Sequence, residues 1–137
     1  MKKNRNFISK RLGSAVVSLL WLTSARAEDS HPVHHVGPAE AQTLIAAKKV
    51  VVVDVRTPQE FASGHIAGAT NINFHATDFA KAIAGLDTNQ NYLVHCAAGG
   101  RSTQALPTFN QLRLPSLYHL DGGIKAWVKA GLPVTKK

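Results

Sequence analysis

The sequence is poor in cysteine, because Cys96 is the only one among its 137 residues. A single thiol excludes an internal disulfide and leaves one sulfur atom free for chemistry. Such a residue is either a small, inert side chain of the core or a reactive group, and in an oxidising compartment it is exposed to oxidation. The residues around Cys96 therefore have to indicate whether its thiol is inert or reactive.

Acidic residues are also scarce, with 8 Asp and Glu against 16 Lys and Arg, and the formal net charge is +8. Most of the imbalance lies in residues 1–27, which contain several basic residues and no acidic one. Beyond residue 27 the two signs are nearly balanced, and no basic stripe interleaved with aromatic residues is left. We therefore expect no nucleic-acid partner.

Long apolar runs are missing too. The longest one lies within residues 12–23, whereas a membrane-spanning helix needs about 20 apolar residues. It follows the basic segment MKKNRNFISKR and precedes SARA, with Ala25 and Ala27 at the small positions before a cleavage site. Residues 1–27 are thus predicted to be a signal peptide, which implies a periplasmic or secreted protein without membrane attachment. An uncleaved amphipathic anchor is the alternative.

The rest of the chain predicts one α/β domain over residues 37–137, preceded by a flexible lead-in over residues 28–36. Apolar runs such as Val50–Asp54 alternate with segments of helical pattern. This alternation is typical of a central, mostly parallel sheet with helices on both faces, a three-layer arrangement. Three histidines of the lead-in have no cysteine or acid at ligand spacing, so no metal site is expected there. They are His31, His34 and His35.

Cys96 ends the apolar run NYLVHC, so its thiol is expected at the carboxyl edge of the sheet, where ligands of such folds bind. The residues after it favour a thiolate in three ways: small side chains with glycines let amide N–H groups turn inward, a helix begins, and an arginine adds positive charge. Cys96 is therefore the predicted nucleophile. The predicted substrate-binding residues are Ala97, Ala98, Gly99, Gly100, Arg101 and Ser102.

The spacing of this loop bears on the chemistry. Four residues separate Cys96 from Arg101, whereas cysteine phosphatases have five between the equivalent pair. The tighter loop suits a single sulfur atom better than a phosphoryl group with three equatorial oxygens. His95 is expected to point away from the thiol, because neighbours in a strand face opposite sides. A cysteine phosphatase or arsenate-reductase-like enzyme stays open as an alternative.

Four polar residues before the loop are expected to support the site rather than react. Asp54 and Arg56 follow a buried strand and are interpreted as an ion pair that shapes the turn into the next helix. Glu60 has capping-box spacing from Thr57, and His65 is expected to bond to backbone groups of a turn. Further along, Pro107 interrupts a helical pattern and predicts a kink or a late helix start.

Three segments resemble the motifs of one protein family and follow each other in that family's order. They are VVDVRTPQEFASGHIAGATNINF, HCAAGGRS and LDGGIKAWVKAGLPV. The chain resembles the rhodanese-like sulfurtransferases from about Gly37 to Val134. The resemblance implies that Cys96 takes the outer sulfur of thiosulfate or a persulfide and passes it to cyanide or a thiol. Its implied partners are small sulfur compounds and a thiol or protein acceptor, with no metal or organic cofactor.

The chain departs from the family pattern at Ala97, where many family loops carry a basic residue that helps to hold an anionic donor. This departure puts affinity for thiosulfate in question and favours a persulfide donor. It also keeps a second alternative open, in which the domain binds a persulfide or a partner without catalysis.

Overall fold

A computed structural model describes residues 31–137 of the protein. The predicted signal peptide and residues 28–30 of the predicted lead-in lie outside the described residues. A parallel five-stranded sheet forms the centre, in the order β1-β5-β4-β2-β3. The strands are β1 Val33–Val36, β2 Val51–Asp54, β3 Thr70–Asn71, β4 Tyr92–His95 and β5 Leu117–Leu120. The helices are α1 Pro38–Ala46, α2 Pro58–Ser63, α3 Phe79–Ala84, α4 Gly100–Asn110 and α5 Gly123–Lys129.

Two separate apolar clusters cover the two faces of the sheet. Val53 and Val94 pack with residues of α3 and α4, whereas Val52 and Leu93 pack with residues of α1 and α5. Neighbouring residues of a strand thus supply opposite layers, as the pleat requires. The predicted three-layer α/β class is confirmed.

The predicted flexible lead-in is wrong for residues 33–36, because these residues form β1. The strand pairs in parallel with β5, and Val36 is only 2% exposed. Without β1 the backbone groups of β5 would be left unpaired at the edge of the sheet. The strand signal was hard to see, since two histidines stand between its two valines.

Pro107 does not delay the helix after the loop. Helix α4 begins at Gly100 and includes Pro107, whose missing N–H leaves the carbonyl of Thr103 without its usual helical donor. The helix N-terminus therefore lies directly beside Cys96. Within residues 31–137, no helix combines the length and the apolar character that crossing a membrane requires.

Candidate active site

Cys96 follows β4 directly and lies at the carboxyl end of the sheet, beside the start of α4. The residue is only 1% exposed, so the thiol is far more covered than a position at the sheet edge suggests. Its Sγ accepts hydrogen bonds from the Gly99 N–H at 3.1 Å and from Ser102 Oγ at 3.3 Å. Gly99 reaches this position with a φ of 113°, a conformation that favours glycine.

The electrostatics of the loop favour the thiolate. Burial by itself raises the pKa of the Cys96 thiol, but hydrogen bonds from the Ser102 hydroxyl and from the amides of Ser102, Gly99 and Ala98 outweigh burial. The net pKa is lowered from its ordinary value. A lowered pKa at a helix N-terminus is typical of reactive cysteines and not of structural ones.

Removing the Ser102 hydroxyl is expected to make the thiol harder to ionise. In Ser102→Ala the pH midpoint of Cys96 alkylation should rise, and alkylation at neutral pH should slow by about tenfold, since a hydrogen bond to a charged group is lost. The measurement is the rate of alkylation against pH. Thr103→Ala is the matched control, because its hydroxyl bonds to the Gly99 carbonyl and not to sulfur. An unchanged midpoint in Ser102→Ala would contradict this account of the thiolate.

Arg101 is paired rather than free. Its guanidinium donates to both Glu60 oxygens, at 2.7 and 2.8 Å, and the ion pair lowers the pKa of Glu60 from 4.5 to about 2. This contribution to stability is complete above pH 4.5 and is lost as the pH falls toward 2. Glu60 also closes the capping box of α2 with Thr57. One carboxylate therefore anchors both α2 and the far end of the loop.

Asp54 and Arg56 form a buried pair beneath this anchor. Arg56 donates from Nε and Nη2 to the Asp54 carboxylate, and Nη2 also donates to the carbonyl of Gly64 at 2.7 Å. The two residues are 0% and 5% exposed. Neither of them contacts sulfur, and they hold the turn between β2 and α2.

Neither histidine next to these elements acts on the thiol. His65 lies 2.9 Å from the carbonyl oxygens of Phe61 and Lys137 and stacks on the Phe61 ring. His95 donates from Nδ1 to the Cys96 carbonyl, and burial lowers the pKa of its imidazole. The structure therefore shows no Cys–His dyad at Cys96.

His119 lies on β5 beside the loop and is not among the site residues predicted from the sequence. Its Nε2 is 2.7 Å from Ser102 Oγ, and that hydroxyl lies 3.3 Å from Cys96 Sγ and 3.1 Å from the Gly99 carbonyl oxygen. Burial is the main cause that lowers the pKa of His119. The only signal in the sequence was the motif HLDGG, and its pairing with Ser102 across the fold was not readable from spacing.

A close backbone approach holds the loop against α5. The N–H groups of Ile124 and Lys125 donate to the carbonyls of Cys96 and Ala97 at 2.9 and 3.0 Å. Gly123, the residue before Ile124, has a φ of 60°. A Cβ on Gly123 would lie 2.5 Å from the carbonyl oxygen of Cys96. Only glycine permits this contact.

Gly123→Ala is expected to destabilise the fold by roughly 2–5 kcal/mol, from left-handed backbone strain together with overpacking. The matched control is Gly131→Ala, which has a φ of 78° and open space around its Cβ. The control should lose only the strain, about 1–2 kcal/mol. Urea denaturation measures the free energy of unfolding of both variants. Equal losses would show that the close contact between Gly123 and the loop does not contribute to stability.

A thiol held by the amides of a strand-to-helix loop, at the carboxyl edge of a parallel sheet, defines a domain built for cysteine-dependent chemistry. The chain belongs to the rhodanese-like domain family, whose model matches residues 37–130.

Two of the following three relatives have names that agree with this assignment. Thiosulfate sulfurtransferase GlpE of Pseudomonas aeruginosa is 36% identical over 98 residues, which are 72% of this chain and 86% of the relative. A crystal structure of a rhodanese-related protein from Thermoplasma volcanium has a TM-score of 0.68 at 32% identity and covers 76% of this chain and 99% of that one. A Rhodopseudomonas palustris structure, of unknown function and described as a possible tyrosine phosphatase, has a TM-score of 0.61 at 30% identity, covering 75% and 85%.

Proposed function

We propose that the protein is a sulfurtransferase of the thiosulfate sulfurtransferase type and that Cys96 carries the sulfur. The Cys96 thiolate attacks the outer sulfur of the donor and the donor's S–S bond breaks. The bonding electrons leave with sulfite when the donor is thiosulfate, and with a thiolate when the donor is a persulfide. A persulfide remains on Cys96. A nucleophilic acceptor, cyanide or a thiol, then takes the outer sulfur and restores the thiolate. The hydrogen bonds from Gly99 N–H and Ser102 Oγ to Sγ carry the proposal.

The state of Arg101 favours sulfur transfer over phosphate hydrolysis. A phosphoryl group in transfer carries charge on three oxygens and needs an arginine or a cation to stabilise it. Here Nη1 and Nη2 of Arg101 both donate to the Glu60 carboxylate, whose negative charge offsets that of the guanidinium. A sulfane sulfur needs no such clamp, because the amides of a small loop stabilise its single charge.

The donor is proposed to be small, and a persulfide or polysulfide is favoured over thiosulfate. Cys96 is almost fully covered, which restricts access to its sulfur. The residue after it is alanine, so that position offers no positive charge to an anionic donor. Thiosulfate should therefore load the protein less readily than a persulfide donor does.

Export is proposed as well and rests on the composition of residues 1–27, with their basic start, apolar stretch and small residues before position 28. The protein then acts in the periplasm or outside the cell. The intact mass of protein recovered from each cell fraction tests this, because the exported form should lack residues 1–27.

The decisive experiment is intact-protein mass spectrometry after incubation with thiosulfate and with a persulfide donor. We expect a gain of one sulfur atom on Cys96, which cyanide removes as thiocyanate. Absence of the gain with every donor would favour a domain that binds a partner without catalysis. Hydrolysis of an aryl phosphate without sulfur loading would favour a cysteine phosphatase.

A further inference from the structure

A cluster of three polar side chains lies beside the loop, on the edge of the sheet. His35 pairs with His119 in the register of β1 and β5. Side chains opposite each other in a sheet share a face. Asp121 lies one residue beyond β5 and two after His119, and its N–H continues the pairing with β1 by donating to the Val36 carbonyl, which places it on the same face. The two strands thus bring together residues that are 84 and 86 positions apart in the chain.

The three inward atoms form a nearly regular triangle. His35 Nδ1 lies 3.0 Å from Asp121 Oδ1 and 3.2 Å from His119 Nδ1, and the third side, from His119 Nδ1 to Asp121 Oδ1, is 3.3 Å. Ligands about 2.0–2.1 Å from a tetrahedral zinc ion lie about 3.3–3.4 Å apart. A cation at the apex above this triangle would meet all three atoms at bonding distance.

The cluster holds more lone pairs than protons, because a carboxylate oxygen only accepts. An N–H on His35 Nδ1 can be shared between Asp121 Oδ1 and His119 Nδ1. The 3.3 Å contact between His119 Nδ1 and Asp121 Oδ1 then has no proton in it. A divalent ion would bond to all three atoms.

We propose that His35 Nδ1, His119 Nδ1 and Asp121 Oδ1 bind a divalent transition-metal cation, with Zn²⁺ the best match. Two imidazoles and one carboxylate form a set of ligands that favours zinc over magnesium or calcium. The side chains of His35 and Asp121 are 53% and 58% exposed, so the ion enters from solvent and water completes its shell. Among residues 31–137, this is the one group of three such ligand atoms that converge.

The surroundings supply an outer shell as well. Coordination at Nδ1 leaves the proton of His119 on Nε2, where it donates to Ser102 Oγ at 2.7 Å. Metal-bound histidines are commonly oriented in this way by the hydrogen bond of the other ring nitrogen. With that bond accepted from His119, the proton of the Ser102 hydroxyl stays available to Cys96 Sγ or to the Gly99 carbonyl.

The test uses the untagged full-length chain, stripped with a chelator and titrated with Zn²⁺ by calorimetry and with Co²⁺ by visible absorption. We expect one ion per chain and a tetrahedral cobalt spectrum without a thiolate charge-transfer band. His35→Asn and Asp121→Asn should each weaken binding by at least about 100-fold. Both residues are direct ligands in the proposal, and the loss of a mere outer-shell partner already costs up to about 100-fold. His34→Asn is the matched control, because its ring lies on Tyr118 and not in the cluster.

Cys96→Ser separates this site from the proposed activity, since the variant lacks the thiol and should bind the ion as the wild type does. Binding that is lost in Cys96→Ser or His34→Asn but kept in His35→Asn would place the metal elsewhere and overturn the proposal. So would the absence of saturable binding to the wild type. Sulfur loading of the metal-free protein is measured separately, so failure of one proposal leaves the other standing.

Discussion

Cys96→Ser is expected to abolish sulfur transfer, with kcat/KM falling by at least about 10⁴-fold, as when other enzymes lose their nucleophile. A serine hydroxyl is not ionised near neutral pH and forms no persulfide. The rate of thiocyanate formation measures the loss, with the donor that loads the wild type best. Because oxygen can accept the same bonds from Gly99 and Ser102, the variant should keep its fold.

Two controls make this result specific. The urea midpoint of Cys96→Ser should stay close to that of the wild type, which excludes unfolding as the cause of the lost activity. Thr103→Ala, a change in the first turn of α4 that removes no hydrogen bond to sulfur, should retain most of the rate. Activity retained in Cys96→Ser would refute the assignment of the sulfur carrier.

Asp54→Ala is expected to cost about 3–5 kcal/mol of stability, because removing one partner of a buried ion pair leaves the other charge uncompensated. Arg56 is 5% exposed and would keep only the Gly64 carbonyl as its partner. The turn from β2 to α2 loses its support at the same time. The free energy of unfolding in urea measures the effect.

The matched control is Glu60→Gln, which breaks the more exposed ion pair with Arg101 and keeps the capping box, since glutamine replaces glutamate there. The side chains of this pair are 37% and 22% exposed, and such pairs contribute at most about 1 kcal/mol. Equal losses in the two variants would show that burial does not determine how much the Asp54–Arg56 pair contributes to the free energy of unfolding.

The buried strands and the turn after Cys96 could be predicted from the sequence, because their causes are local. The β-branched run before Asp54 and the apolar run before Cys96 are typical of central strands in a parallel sheet, which are buried on both faces. The capping box of Thr57 and Glu60 depends on residues three positions apart. The glycines after Cys96 indicate an anion-binding turn without reference to any other segment.

The edge strand β1 and the partner of Arg101 were not readable in this way. Val33–Val36 becomes a strand only because β5 offers it backbone partners, a condition set more than 80 residues away. Glu60 satisfies its local cap and then also receives Arg101, 41 positions later. Local patterns leave such second roles undetermined, since many distant partners fit them equally well.

The sequence by itself determined the layers of the fold and singled out Cys96 as the candidate nucleophile, since strand periodicity, capping and glycine turns act over a few residues. Only the tertiary structure decided how far Cys96 is covered, which carbonyls Gly123 touches, and that His35, His119 and Asp121 meet at one point. The physical reason is that strand register converts distances along the chain into contacts across it, and register results from the packing of the whole sheet.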